Sequence, residues 1–140
     1  MDAFDRMLEL SREGFFCAQI MLALALEAEG KENPDLLRAM GGLNGGLGNT
    51  GSVCGVLTGG ACLISYFAGK GEADELQSPD CDAVIAEFSE WFHDYCAEYG
   101  GCDCRIILNG DPKNKLQRCP LMVQAAFEKC MELLEGRGLL

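Results

Sequence analysis

Cysteine is the residue type in this sequence with the greatest capacity for chemistry. The chain has 140 residues and nine cysteines, against a single histidine, His93. Cysteine thiols form disulfides, exchange electrons and bind zinc or iron–sulfur clusters. In the reducing cytosol, cysteines at this density more often bind a metal or take part in redox reactions than form structural disulfides. The search for a function therefore starts from the thiols.

Four of the nine cysteines share a position relative to the predicted helices. The cysteines that lie at or just before a predicted helix start are Cys17, Cys54, Cys104 and Cys119. Unpaired N–H groups and the positive end of the helix dipole favour a thiolate there. Pro120 follows Cys119, and proline is preferred at the first position of a helix. We expect these helix starts to converge on one catalytic site, with Cys54 as the leading nucleophile.

The other five cysteines have weaker claims to a chemical role. Cys62 and Cys130 lie in mid-helix among apolar residues, where a thiol is most often an inert part of the core. Cys81 and Cys96 are intermediate cases. Cys102 stands two residues before one of the four selected cysteines, so it is a candidate auxiliary thiol or alternative ligand.

Residues 41–60, GGLNGGLGNTGSVCGVLTGG, hold nine of the chain's 18 glycines. Glycine reaches positive φ and permits close approach, so this density predicts turns and a tight fit around Cys54. We expect Gly51, Gly55 and Gly59 to lie against a bound cofactor or a partner sulfur.

A G-x-G-x-x-G match begins at Gly46, but a dinucleotide site needs a strand before the match and a helix opening inside it. A helix is predicted before it, so nucleotide binding is not favoured.

The spacing of apolar residues predicts an all-α fold. We expect a single domain, residues 1–140, with about six or seven helices and a glycine-rich loop before the central one. Ser52 is the predicted N-cap of that central helix. The first predicted helix ends near Gly14. The next predicted helices span 15–28, 35–40, 55–68 and 81–99. A short helix follows Gly101, and the last helix starts at Cys119. Residues 113–118 are predicted as loop, and a mixed fold with strand at 63–67 is the less favoured alternative.

The charge balance excludes one class of partner. The chain has 22 acidic and 11 basic residues, a net charge of −11, so it lacks the positive footprint that nucleic-acid binding needs.

The N-terminus lacks the basic and then apolar start of a signal peptide. The longest apolar run, 53–68, is shorter than the roughly 20 residues of a membrane span. We expect a cytoplasmic protein without a membrane span. Its glycine pairs and apolar helices would allow a homodimer.

Four segments of the chain together resemble a known family. They are CAQ at 17–19, GSVCGVLTGG at 51–60, GG-x-x-CR at 100–105, and Cys119. They resemble the family of redox-active proteins named for its C…CGAxxG…C…C cysteine pattern, over essentially the whole chain. The resemblance implies a small bacterial or archaeal protein that is redox-active through four characteristic cysteines, and Val56 departs from the alanine of the pattern. Some relatives are parts of haem proteins, but this chain has no C-x-x-C-H, so attached haem is not expected.

The four selected cysteines leave two main functions open. The favoured one is that of a thiol–disulfide oxidoreductase, which exchanges disulfides or electrons with an unknown redox partner protein or a small thiol. The alternative is a zinc or iron–sulfur site for electron transfer or sensing, with all four as metal ligands. Structural zinc sites usually supply ligands in close C-x₂₋₄-C pairs, and these four are scattered. The remaining alternative is an interaction protein with incidental cysteines.

Overall fold

The apolar segments of the sequence form seven α-helices in a computed structural model that describes residues 2–140. The helices are α1 (Ala3–Arg12), α2 (Cys17–Ala28), α3 (Pro34–Met40), α4 (Gly55–Ala68), α5 (Cys81–Tyr95), α6 (Cys104–Leu108) and α7 (Pro112–Gly136). Short 3₁₀ segments, Gly41–Leu43 and Cys96–Tyr99, follow α3 and α5. Over residues 2–140 no strand forms beyond an isolated bridge between Val53 and Asp103. The all-α prediction is confirmed.

Helix α2 is the centre of the hydrophobic core. Its residues 20–26 are all buried, as expected of a helix that is apolar on nearly every side. It packs most extensively on α4, where a Cβ at Gly59 would lie 3.0 Å from the α-carbon of Ala18. A Cβ at Gly60 would overlap the ring of Phe88 in α5. The absence of side chains at Gly59 and Gly60 therefore lets both neighbouring helices approach α4 closely.

The start of the last helix was predicted wrongly. Helix α7 begins at Pro112, not at Cys119, because the Asp111 side chain caps it by accepting a backbone hydrogen bond of 2.9 Å in the first turn. Residues 113–118, predicted as loop, belong to this helix. Pro120 therefore lies inside a helix of 25 residues, where it removes one backbone hydrogen bond. Proline next to Cys119 predicts a helix start there, but the capping aspartate upstream outweighs it.

Two further boundaries differ from the prediction. The N-cap of α4 is Cys54 rather than Ser52, because the Ser52 backbone is engaged in pairing with the segment before α6. Helix α5 ends at Tyr95 instead of Tyr99, and the chain continues as a 3₁₀ turn. Within residues 2–140, no helix combines the length and apolar character needed to cross a bilayer.

Candidate functional site

The glycine-rich loop holds Cys54 next to the start of α6. Three backbone hydrogen bonds surround the antiparallel bridge between Val53 and Asp103. They run from the N–H groups of Cys54, Cys104 and Arg105 to the carbonyl oxygens of Cys102, Ser52 and Gly51, at 3.0, 2.7 and 3.1 Å. Because α4 and α6 both begin at this pairing, their N-termini lie side by side. The pairing thus brings Cys54 and Cys104 to the same region.

The loop needs its glycines to reach this position. Six of its residues take positive φ, namely Gly45, Gly46, Leu47, Gly48, Asn49 and Gly51. At position 46 a Cβ would also lie 2.5 Å from the backbone of Ser52. Positive φ is costly for residues with a side chain, so the glycine density predicted from the sequence has a structural use in these turns.

Cys17 reaches the same region from the first turn of α2. Its Sγ atom lies against Gly55, where a Cβ would be 2.5 Å from that sulfur. A hydrogen-bonded pair of amides supports the turn: the Ala18 N–H donates to Asn44 Oδ1 (3.2 Å), and Asn44 Nδ2 donates to Gln19 Oε1 (3.0 Å). Asn44 thereby ties the glycine loop to the N-terminus of α2.

Among residues 2–140, Asn44 is the single polar or charged residue that is buried, and it is 7% exposed. Its partner Gln19 also accepts from the Phe16 N–H (3.2 Å) and donates to the Leu37 carbonyl (3.1 Å). A buried amide is stable when its polar atoms are paired. Asn44 and Gln19 therefore connect α2, α3 and the glycine loop around Cys17.

Three of the four selected thiols open on one cleft of about 260 Å³. Cys17, Cys104 and Cys119 are half-buried and line it. Cys54 does not line it: this residue is 6% exposed, and its thiol donates to the sulfur of Met122 at 4.0 Å. The structure thus brings together three accessible thiols, with Cys54 deeper in the protein beside Gly55.

Cys17 and Cys119 each interact with the other three thiols of the group. Burial is the largest cause of the raised pKa of Cys54, of Cys104 and of Cys119, and a negative charge on Cys17 raises all three further. Charge on Cys119 likewise raises the pKa of Cys54, and charge on Cys104 raises that of Cys119. Like charges raise each other's pKa only at short range. The four thiols therefore lie in one neighbourhood.

Burial opposes thiolate formation at three of the four positions. It raises the pKa of Cys54 and of Cys104, and it raises the pKa of Cys119 to about 11. Burial therefore works against the thiolates expected at these three positions. Cys119 also lies inside α7, away from any helix start. The positive charge of Lys115 lowers the pKa of Cys104 and of Cys119, which offsets part of the effect of burial.

The wall of the cleft is mainly apolar. The large apolar residues that line it are Met7, Leu8, Phe15, Phe16, Ile20, Leu108, Leu116 and Val123. Two cations, Arg105 and Lys115, and the polar residues Ser11 and Asn49 also line it, and no acidic side chain of the described residues takes part. The site therefore combines thiols, hydrocarbon and positive charge.

The three glycines expected to face a bound group have different contacts. Gly55 contacts the sulfur of Cys17, whereas Gly59 contacts the backbone of α2 and serves helix packing. Gly51 lies against Arg105, where a Cβ would be 3.0 Å from that of the arginine. Only Gly55 of these three makes room for a sulfur atom.

Cys102 contributes its backbone to the site, and its thiol lies elsewhere. The Cys102 carbonyl accepts the hydrogen bond from Cys54, but its thiol donates to the carbonyl of Phe92 at 3.9 Å. The Cys96 N–H donates to that same carbonyl. The Cys102 thiol therefore lies at the end of α5 and does not line the cleft. It is not placed as an alternative ligand for a group bound in the cleft.

The arrangement of the thiols does not fit a metal centre. Among residues 2–140, no three side chains of Cys, His, Asp or Glu are grouped so that they could hold one metal ion. Zinc and iron–sulfur clusters need about four such ligands around one centre. The alternative of a site ligated by Cys17, Cys54, Cys104 and Cys119 is thus not supported by the donor geometry.

Sequence reasoning missed Asn44, Arg105 and Lys115. Lys115 was placed in a predicted loop, and only the correct start of α7 turns it toward the cleft. Gln19 carried a signal, because a glutamine at the third position of a helix often accepts from the backbone before that helix. Asn44 had no local signal, since its partners lie 25 and 26 residues away in the chain.

One comparison with known proteins found a match. Residues 15–133 match the model of the family described as "Putative redox-active protein (C_GCAxxG_C_C)". No curated protein and no solved structure is significantly similar to the chain. The description writes the motif of the second cysteine as GCAxxG, which differs from the CGAxxG order expected from the sequence. With Cys54 as its cysteine, the chain has Val53, Gly55 and Thr58 at the positions of the first glycine, the alanine and the last glycine. Because the match covers most of its length and all four selected cysteines, the chain belongs to this family of cysteine-containing redox-active proteins.

Proposed function

We propose that this protein carries out thiol–disulfide exchange through Cys17, Cys54, Cys104 and Cys119, with Cys17 as the thiol that reacts first. One observation carries the proposal: three half-buried thiols line a single cleft, and the fourth lies buried beside it. Membership of a redox-active family supports the same conclusion.

Cys17 has the features that the first step requires. It is half-buried in the wall of the cleft, so a substrate can reach it. It stands in the first turn of the 12-residue helix α2, at the positive end of the helix dipole. Gly55 leaves space beside its sulfur. Cys54, expected from the sequence to be the leading nucleophile, is assigned here to the second step, because it is 6% exposed and burial raises its pKa.

The reaction is balanced as a two-electron exchange. The Cys17 thiolate attacks one sulfur of a disulfide substrate, so that a mixed disulfide forms and the other half leaves as a thiolate. A second thiol of the group then attacks the Cys17 sulfur, which closes a protein disulfide and releases the first half. Two electrons pass from the protein to the substrate, and the two protons of the protein thiols balance the two thiols released. Exchange in the reverse direction reduces the protein.

The test compares Cys17→Ser with Cys62→Ser. Cys62 is also half-buried, but it lies on α4 outside the cleft, so it is a matched control. After treatment with an excess of oxidised dithiothreitol under native conditions, the unaltered protein and the Cys62→Ser variant should lose two alkylatable thiols. Peptide mass spectrometry should place Cys17 in the disulfide. The Cys17→Ser variant should lose none.

Two results would overturn the proposal. All nine thiols of the unaltered protein could stay alkylatable after oxidation, or Cys17→Ser could still form a disulfide among the remaining three cysteines. Elemental analysis of anaerobically purified protein separates the metal alternative, since a zinc or iron–sulfur site would give stoichiometric metal that is lost in the cysteine variants.

A further inference from the structure

The charges at the cleft are opposite in sign to the charge of the whole protein. The chain has a net charge of −11, but the charged residues that line the cleft are Arg105 and Lys115. The negative net charge of the protein attracts positively charged small molecules to its surface. A molecule that enters the cleft instead meets two cations. The local potential of a cleft, and not the net charge, decides which small ions it attracts.

Lys115 lies close to the reacting thiols. Its Nζ atom is 4.5 Å from the centroid of the Phe16 ring, and Phe16 directly precedes Cys17. Its charge also lowers the pKa of Cys104 and of Cys119, which places the ammonium within electrostatic reach of both sulfurs. A carboxylate bound by Lys115 would therefore be held beside the thiols that line the cleft.

Arg105 supplies the second positive charge. Its side chain is 68% exposed, and its nearest carboxylate, Asp103, is 3.8 Å away, beyond hydrogen-bond distance. Its backbone N–H donates to the Gly51 carbonyl at 3.1 Å, so the start of its side chain is fixed at the edge of the cleft. The guanidinium is thus anchored at its base and able to pair with a second anionic group.

The apolar wall and the size of the cleft limit the rest of the ligand. A volume of about 260 Å³ is near the lower end of small-molecule sites. The hydrocarbon of the cleft wall comes from residues such as Phe16, Leu108 and Leu116. The cleft therefore suits a small molecule with an apolar or sulfur-containing middle part and carboxylates at its ends.

We propose that the cleft binds a small disulfide with carboxylate groups, which pair with Lys115 and Arg105 while the disulfide bond faces Cys17. This inference rests on the proposed exchange reaction and specifies the class of its substrate. The chemistry is the same two-step exchange: Cys17 attacks the substrate disulfide, one carboxylate-bearing thiolate leaves, and the second protein thiol releases the other half.

The experiment measures the rate constant of thiol loss for three small disulfides. They are dithiodiglycolate, a dianion; 2-hydroxyethyl disulfide, which is neutral; and cystamine, a dication. Intrinsic reactivity of each disulfide is corrected by its rate with free cysteine at the same pH. For the corrected rates we expect dianion above neutral above dication at low salt. The net charge of −11 acting alone would give the opposite order.

Variants assign the effect to the cleft. Lys115→Gln should lower the ratio of dianion rate to neutral rate by about two- to fivefold, the range for one exposed ion pair, and added salt should lower it in the unaltered protein. The ratio removes any general change in thiol reactivity. Lys113→Gln is the control, because Lys113 is exposed on the same helix but does not line the cleft, and it should leave the ratio unchanged.

The outcomes separate this inference from the reaction on which it rests. Equal corrected rates for the three disulfides, or a dication that reacts fastest, would overturn the substrate class and leave the exchange reaction intact. Equal loss of selectivity in Lys113→Gln and Lys115→Gln would overturn the role of the cleft. Loss of all exchange in Cys17→Ser, with the charge order kept in the unaltered protein, supports both proposals.

Discussion

The sulfur of Cys17 lies against the backbone of Gly55, the residue that follows Cys54. A Cβ at position 55 would be 2.5 Å from Cys17 Sγ, which is less than any ordinary contact. This relationship joins the first turn of α2 to the first turn of α4. It also explains why a glycine stands directly after the buried cysteine: the thiol of another helix occupies the space of its side chain.

Gly55→Ala should move the sulfur of Cys17 and weaken the exchange reaction. The new methyl group overlaps the sulfur, so either the Cys17 side chain turns away or α2 and α4 separate, at a cost of about 1–3 kcal/mol in the free energy of unfolding. Urea unfolding and the alkylation rate of Cys17 measure the two effects.

The control for this change is Gly42→Ala. A Cβ at position 42 meets no heavy atom within 4 Å, and Gly42 does not have positive φ. Its stability and Cys17 reactivity should stay close to those of the unaltered protein. Equal behaviour of the two variants would contradict the importance of the Cys17–Gly55 contact.

Asn44→Ala should destabilise the protein and disorder the start of α2. The change leaves the buried N–H of Ala18 without its acceptor, and an unpaired buried group costs about 1–3 kcal/mol. Unfolding in urea gives the loss of stability, and hydrogen exchange at Ala18 shows its location. Asn44→Asp keeps an acceptor for the Ala18 N–H but loses the donor to Gln19 Oε1. If the Ala18 amide stays protected from exchange in Asn44→Asp, the loss of protection in Asn44→Ala is due to the hydrogen bond between Ala18 and Asn44.

Native alkylation should divide the cysteines by their burial. Iodoacetamide at neutral pH should label the half-buried Cys17, Cys104, Cys119 and Cys62 before the buried thiols, with Cys119 slowed because burial raises its pKa to about 11. The thiols that should react only after denaturation are Cys54, Cys81, Cys96, Cys102 and Cys130. Thiol reactivity follows exposure and thiolate formation. Rapid labelling of Cys54 in the folded protein would argue against its assignment to the second step.

Stability should fall as the pH rises above about 9. Burial raises the pKa of Cys119 to about 11 and that of Cys96 to about 12, from an ordinary value of 9.0. Between the ordinary pKa and the raised pKa of each thiol, the unfolded chain loses a thiol proton that the folded protein retains. The free energy of unfolding therefore decreases as the pH rises through this interval. The contribution is fully present below about pH 9 and is lost as the pH rises through the folded-state values. Urea unfolding at intervals from pH 7 to pH 11 measures it.

A matched variant identifies the source of this pH dependence. Cys119→Ala removes one of the raised thiols, so its stability should decline less steeply between about pH 9 and pH 11. Stability that rises over this interval in the unaltered protein would show that the buried thiols do not control the alkaline limit.

Local patterns were sufficient to predict most helices. The apolar run of α2 is found where the sequence predicts it, and the helix predicted at 35–40 is α3, whose N-cap Asn33 accepts a hydrogen bond from the Leu36 N–H (3.1 Å). Periodicity and capping act within a few residues, so they are readable without tertiary structure. The same reasoning failed at Cys119, where an interior proline looked like a first position although Asp111 had already started the helix.

The chemistry of the site depended on contacts between distant segments. The amino-acid sequence by itself determined which thiols are available, the glycines that allow the turns before α4, and membership of a redox-active family. Only the tertiary structure decided that Cys54 is buried, that Cys17, Cys104 and Cys119 line one cleft, and that Lys115 lines it with them. The physical reason is that burial and charge at a thiol are set by neighbours from other helices, which a local sequence pattern does not show.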